Sequence, residues 1–368
     1  MGQCRHCGGR SSLISSPLDL CKTCIVDHFE VVEPHIRAVH ARTRHAFHLP
    51  SVPPQSETGL PCTLCINRCR IPENEYGFCG IRINRRGQFR GGGAGKGRYS
   101  AYYDLLPTNC IADWVCSEGS SCRASPYSFG EETGSGLKNL AVFFESCTFN
   151  CLFCQNWHFR CSSVKSRFSE PDSLIRAVDD QTSCICYFGG DPASQMLFAL
   201  AASRASLRPC RERLPRICWE TNGSMHRRLL HRAARLSLRS GGCVKIDLKA
   251  WRDSLHIALC GVSNRWTLSN FEQVAALIPD RSDPPLLVAS TLLVPGYIDA
   301  EEVGRIAQFI AGLDPSIPYS LLGFSPQFFM QDLPVTSRRQ ALECLQAAHD
   351  AGLRRVRIGN QHLLGEAT

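Results

Sequence analysis

The sequence predicts an α/β fold with a mostly parallel sheet. Two observations carry that reading. Apolar, strand-like runs alternate with helical stretches from Leu137 onward, and polar turn motifs follow the strand runs one after another. The strand candidates are Leu140–Phe144, Cys184–Phe188, Arg216–Glu220, Val244–Ile246, Leu286–Leu293 and Tyr319–Phe324. Helical stretches fall at Leu174–Asp179, Gln195–Ala205, His226–Leu236, Leu268–Leu277 and Glu301–Leu313. Asp299 and Glu302 form a capping-box pattern before the last of these. A final helix over Arg338–Ala351 stops near Gly352, and Val356-Arg357-Ile358 offers one more strand. About six β–α units fall short of the eight of a closed barrel.

The chain has 368 residues, a hydrophobic share of 43% and 22 cysteines. That length suits one large domain with one or two small ones. No apolar run reaches the roughly 18 residues of a membrane helix, and the N-terminus shows no apolar signal region. Cys-x2-Cys pairs beside regular elements point to metal ligation in a reducing, cytoplasmic setting rather than to a secreted disulfide scaffold. Basic charge gathers early, with 14 Lys and Arg against 7 Asp and Glu in residues 1–100. That would suit an anionic partner such as RNA, although a solvated surface explains it as well.

In chain order, Cys4-x2-Cys7 and Cys21-x2-Cys24 come first. Two matched pairs read as a zinc ribbon or rubredoxin-like site, with structural zinc preferred over iron. Ile25 to His48 reads as a basic surface helix carrying five histidines without metal spacing. Ser51–Ser56 is a linker by composition. Cys62, Cys65, Cys69 and Cys79 follow, enough thiols to close a site in one segment; an auxiliary [4Fe–4S] cluster is preferred, zinc second. The glycine-rich stretch Gly91–Gly97 fails the phosphate-loop pattern and reads as a turn, with a hairpin around Gln88-Phe89. Cys110, Cys116 and Cys122 could ligate a further cluster, with Cys161, or be buried thiols or a redox pair. The expected division is residues 1–58, residues 59–136, and a barrel over residues 137–368.

At the end of the first core strand lies Cys147-Thr148-Phe149-Asn150-Cys151-Leu152-Phe153-Cys154. Three soft thiolates on a tight loop suit an iron–sulfur cluster, and three ligands leave one iron of a cube open. A zinc knuckle would need a distant fourth ligand. The spacing, with Phe153 before the third Cys, resembles the radical S-adenosylmethionine (radical SAM) superfamily. Gln155-Asn156-Trp157 looks like the branch of the pyruvate formate-lyase activating enzymes.

Four strand-end motifs extend the resemblance. Gly189-Gly190-Asp191-Pro192 resembles the Gly-Gly-Glu-Pro turn that holds the SAM amino group, with Asp in place of Glu. Glu220-Thr221-Asn222-Gly223, Asp247-Leu248-Lys249 and Val294-Pro295-Gly296 resemble the branch's later turns. Asp247 and Lys249, two apart, share a face and could set hydrogen bonds to SAM. Cys184 and Cys186 likewise share one face of a strand, and they read with Cys218, Cys243 and Cys344 as packed thiols.

The resemblance implies a curved partial (βα)6 TIM-like barrel. It implies SAM chelated to the open iron of a cluster on Cys147, Cys151 and Cys154. Phe153, Gly189, Gly190, Asp191, Glu220, Asn222, Asp247 and Lys249 would border that SAM. It further implies reductive cleavage of SAM to methionine and a 5′-deoxyadenosyl radical that abstracts hydrogen from a substrate. A flavodoxin- or ferredoxin-type donor would supply the electron. The substrate stays open: a glycine of a partner enzyme, as for an activase, or an RNA. A non-catalytic iron–sulfur or zinc binding module is the remaining alternative.

Overall fold

The computed structural model describes residues 1–106, 110–117, 127, 136–162, 167–207 and 214–366. Its centre is an eight-stranded sheet. In chain order the strands are β1 (Tyr99–Leu105), β2 (Lys138–Phe144), β3 (Thr182–Gly189), β4 (Arg216–Thr221), β5 (Val244–Asp247), β6 (Leu287–Leu293), β7 (Tyr319–Gly323) and β8 (Val356–Gly359). Spatial order follows chain order. β2 to β8 run parallel, and β1 is antiparallel to β2 at one edge. β1 and β8 are the two edges, so the barrel is partial, as expected.

Two helices come before the sheet, the short α1 (Lys22–Asp27) and the long α2 (Phe29–His45). The crossovers are α3 (Pro171–Arg176), α4 (Met196–Ser206), α5 (Arg227–Ser240), the pair α6 (Asp253–Cys260) and α7 (Arg265–Ala275), α8 (Ala300–Leu313) and α9 (Arg338–Asp350). Strand period two divides the side chains cleanly. Ile185, Tyr187, Ile217, Trp219, Val244 and Ile246 face the helices in the main core. Cys184, Cys186, Cys218 and Val288 form a separate cluster on the other face.

The connector expected to precede the barrel contributes β1, so the sheet begins at Tyr99 rather than at residue 137. Its exposed pattern concealed it: Tyr102, Tyr103 and Leu105 stay exposed on this edge strand. Helix α6 is also new, because its eight residues are too few to show a helical period. The capping box is half realised. Asp299 Oδ1 accepts from the Glu302 N–H at 3.1 Å, but buried Glu302 turns to the Trp251 N–H at 2.7 Å and to Arg252. The expected hairpin forms between Ile83–Arg85 and Gln88–Arg90. No helix among the described residues is long and apolar enough to cross a membrane.

The histidine-rich stretch is not a surface helix. It breaks at His28 between α1 and α2, and α2 buries Val32, Ile36, Val39, His40, Thr43 and Arg44. Cys4, Leu18, Leu20, Ile25 and Ile36 share one continuous core with the barrel. The N-terminal module, too small for a core of its own, borrows the barrel's.

Candidate active site

The loop after β2 is set by two neighbours. The Asn150 and Leu152 N–H groups donate to the Cys260 and Leu259 carbonyls at the end of α6, both at 2.9 Å. Asn150, fully buried, donates through Nδ2 to His40 Nδ1 and Thr43 Oγ1 of α2, each at 2.8 Å, and accepts from Arg160 at 2.8 Å. These bonds leave the three cysteines facing one side.

The side they face is a cavity of about 170 Å³. Cys147, Cys151 and Cys154 line it together with Phe153, Gly189, Gly190, Asp191, Glu220, Asn222, Asp247 and Lys249. Every residue that the strand-end motifs nominated for this pocket is therefore in its wall. The motifs lie at the C-terminal ends of β2 to β5, where a parallel βα sheet builds sites.

Asp191 ties this rim together. Its carboxylate accepts from the Ala193 and Asn222 N–H groups, both at 2.7 Å, and from Thr221 Oγ1 at 3.1 Å. Burial raises its carboxyl to about 7 against those bonds. Asp thus fills the Glu position by capping the Pro192–Gln195 turn and locking β3 to β4. Asn222 Nδ2 donates to Thr148 Oγ1 at 2.9 Å. Lys249 Nζ sits 2.9 Å from Asp247 Oδ2, and Ser290 Oγ donates to Asp247 Oδ1 at 2.5 Å. The pocket thus presents an ammonium, a carboxylate and a carboxamide beside three thiols.

Gly190, besides lining the pocket, makes a close backbone contact. A Cβ there would lie 2.3 Å from the Ser146 carbonyl oxygen and 2.8 Å from that of Phe144. Its bareness lets β3 close on the end of β2, next to Cys147, with the Gly190 N–H donating to Phe144 O at 2.7 Å. The Val294-Pro295-Gly296 turn points away from the pocket. Tyr297 Oη accepts from the Ser15 N–H and donates to Leu20 O, both at 3.0 Å, so this turn docks the N-terminal module.

Cys4, Cys7, Cys21 and Cys24 place their sulfurs within 4.8 Å of one another. Tetrahedral ligation at about 2.3 Å per Zn–S bond needs such a cage. Among the described residues these four are the donors gathered within that distance. Cys62, Cys65, Cys69 and Cys79 also converge, lining one small cavity with Arg82. Their segment is pinned to the main loop by Asn67, whose Nδ2 donates to Thr148 O at 2.8 Å. Cys79 and Cys147 share a narrow gap with Arg44 and Arg160.

Cys110 and Cys116 do not meet Cys161, which is exposed; they face Cys184, Cys186, Cys218 and Cys243 inside the barrel. Cys122 lies outside the described residues. Period two had placed Cys184 and Cys186 on one face. What sequence reasoning missed was that this face borders an open space, because a strand pattern shows sidedness and not what fills the far side.

A parallel partial barrel with three thiols at the mouth of its first parallel strand defines a class, the iron–sulfur βα barrels. Residues 141–310 match the radical SAM superfamily, and that segment belongs to it. For that segment the match implies radical SAM enzyme chemistry, with the [4Fe–4S] cluster and SAM that go with it. Among solved structures, a domain of pyruvate-formate lyase-activating enzyme from Bacteroides vulgatus ATCC 8482 is similar at 21% identity, covering 48% of this chain and 99% of that one, with a TM-score of 0.38. Streptococcus suis SuiB bound to precursor peptide SuiA is similar at 13% identity, covering 59% of this chain and 47% of that one, with a TM-score of 0.43. SuiB bound to S-adenosylmethionine is similar at 12% identity over 51% of this chain and 38% of that one, with a TM-score of 0.34. The match thus spans half or less of the SuiB chain. No curated protein matches the chain.

Proposed function

We propose that Cys147, Cys151 and Cys154 hold the [4Fe–4S] cluster and that the adjoining cavity takes SAM. The reading places the enzyme in the activating-enzyme-like branch, where a glycine of a partner protein is the hydrogen donor. The observation that carries the site is the convergence of three thiols and eight motif residues, drawn from four strand ends, on one cavity. Gln155-Asn156-Trp157 and the Asp-Leu-Lys motif support the branch. When bound, cluster and SAM supply one-electron cleavage of a C–S bond and hydrogen abstraction.

The chain's own residues have the tasks of binding and exclusion. Lys249, already oriented by Asp247, would meet the SAM carboxylate with a charge-assisted bond. Asn222, aimed from the β4 end and held by Asp191, would fix the ligand's polar edge. Phe153 and Leu292 give the pocket apolar walls that keep water from a reactive carbon. Cys62, Cys65, Cys69 and Cys79 would carry the auxiliary [4Fe–4S] cluster, and the gap that Cys79 and Cys147 both line supports a position beside the first. Zinc in the Cys4–Cys24 cage would be structural. A flavodoxin- or ferredoxin-type protein would deliver the electron.

Anaerobic reconstitution, dithionite reduction and chromatography of 5′-deoxyadenosine test the reading. Wild type should form 5′-deoxyadenosine from SAM. Cys147→Ala, Cys151→Ala and Cys154→Ala should each lower it at least 100-fold. Wild-type-level product from any of the three variants would overturn the ligand assignment.

A further inference from the structure

The face of the sheet turned away from the helices borders a second cavity, the barrel lumen, of about 140 Å³. Glu220 lines both this lumen and the pocket beside the cysteine loop. Tyr102, half exposed on the edge strand β1, is part of its wall, so the lumen is not sealed from solvent. Cys218 of β4 and Cys243, the residue before β5, both line it. Of the other lining thiols, Cys110 and Cys186 have Lys245 Nζ between them, 3.1 Å from each sulfur. Cys184 donates to Asn139 Oδ1 at 3.2 Å.

Cys218 and Cys243 stand side by side. Trp219 is the register partner of Val244, and the Trp219 N–H donates to Cys243 O at 2.9 Å. One step back along both strands, Cys218 therefore neighbours Cys243, on the same face. Neighbouring strands run about 4.8 Å apart, and disulfides join Cα atoms about 4.4–6.8 Å apart. The two thiols are in hydrogen-bond contact. That contact, with the nearby Lys245 and Arg216 charges, lowers the pKa of Cys218, while the same contact raises that of Cys243. The pair is thus a thiolate with a protonated thiol beside it. Buried cysteines ordinarily act as inert small hydrophobes. Burial alone pushes Cys344, on α9 and away from the lumen, up to about 12.

We propose that Cys218 and Cys243 are a redox-active dithiol that exchanges with small, uncharged disulfides entering the lumen. Cys218 is the attacking sulfur and Cys243 the resolving one. The Cys218 sulfur bonds to one sulfur of the disulfide and displaces the other as a thiolate. Cys243 then gives up its proton and bonds to the Cys218 sulfur, displacing the second thiolate. The two cysteines lose two electrons and two protons in all, and the disulfide leaves as two thiols. Ala112, Ala141 and Phe188 give the lumen apolar walls, which favour a small uncharged disulfide over a bulky charged one. The exchange uses neither cluster nor SAM, so it stands apart from the reaction proposed at the Cys147 loop.

The test uses the full chain, reconstituted anaerobically with iron, sulfide and zinc, and 2-hydroxyethyl disulfide as the probe. The reaction is quenched in acid, free thiols are alkylated in denaturant, and tryptic peptides are read by mass spectrometry. Cys218 falls in Ile217–Arg227 and Cys243 in Ser240–Lys245, each the sole cysteine of its peptide. The expected product is these two peptides joined by a disulfide, at about tenfold the yield of any other cysteine pair, with iron and zinc content unchanged. Cys243→Ser should instead keep the hydroxyethylthio group on Cys218, and Cys218→Ser should leave Cys243 free. Cys344 should be recovered as an alkylated thiol throughout. Recovery of Cys218 and Cys243 as alkylated thiols from folded, probe-treated wild type would overturn the proposal. So would a joined pair that forms only as iron is lost, or preferential pairing of either cysteine with Cys186. The wild-type measurement decides the matter even where a variant does not fold, and no SAM is present.

Discussion

His40 and Asn150 are joined by a 2.8 Å hydrogen bond that ties α2 of the N-terminal module to the cysteine loop of the barrel. Asn150 Nδ2 donates, so His40 Nδ1 must be unprotonated, while His40 Nε2 donates to Ala258 O at 3.0 Å. The Nδ1 bond requires the neutral ring, since a protonated Nδ1 could not accept from Asn150. The module therefore braces the loop that carries Cys147, Cys151 and Cys154.

That brace gives a pH dependence with a definite sign. Burial lowers the pKa of His40 to about 4, and that of His256 likewise. The unfolded chain binds these protons near pH 6.5, the folded one only near 4. Stability is therefore complete above about pH 6.5 and falls as pH drops toward 4, by at most about 3 kcal/mol for each ring. Melting temperatures from pH 7.5 to 4.5 should fall less steeply for His40→Gln than for wild type. Parallel curves would show that His40 does not titrate with unfolding.

Gly190→Ala should damage the cluster loop itself. The new Cβ would overlap the Ser146 carbonyl next to Cys147, and backbone cannot yield as a side-chain tip can. We expect a loss of about 1–3 kcal/mol of stability and reduced iron at the first cluster, with SAM binding falling in proportion. Full iron content with SAM binding lost alone would place the defect in the pocket instead.

Much of this arrangement was legible because strand ends carry their own punctuation. Val142, Ile185, Ile217 and Val244 mark buried strands, and the turn residues after them fall where parallel strands end. What escaped were features that depend on partners far away in sequence. β1 looks polar because an edge strand buries little, and α6 is too short to show a period. His40 read as one more surface histidine because its partner, Asn150, is 110 residues away. Gly190 was recognisable as part of the SAM-binding turn, but its contact with the Ser146 backbone depends on the pairing of β3 with β2. The lumen thiols looked like ordinary core residues because a cavity is a property of the sheet's curvature, which alternation does not encode.

The Cys62–Cys79 segment makes a separable prediction. A Cys147→Ala/Cys151→Ala/Cys154→Ala protein should keep iron and labile sulfide but cleave no SAM. Adding Cys62→Ala and Cys65→Ala should remove about four sulfides per chain. The lumen thiols are untouched by these changes, so the subtraction isolates the segment. Zinc falling while sulfide stays constant would make it a zinc site.

The last prediction concerns how the N-terminal module is held. Tyr297 is fully buried, and its hydroxyl joins Ser15 N–H and Leu20 O, which lie on the chain between the two Cys pairs. Tyr297→Phe keeps the ring but leaves one donor and one acceptor buried without their partner. Each such loss costs about 1–3 kcal/mol. Beside it, Gly296 has φ +80, and a Cβ there would lie 2.2 Å from Leu13 O. Gly296→Ala should therefore push the module off the barrel more severely than Tyr297→Phe. Limited proteolysis between Ile25 and Leu60 would report the loosening, and chelation of the metal from the Cys4 cage should mimic it. Because α2 carries His40, both substitutions should also weaken the cysteine loop and lower 5′-deoxyadenosine formation. A Gly296→Ala protein with wild-type proteolysis and wild-type product formation would show that this turn does not anchor the module.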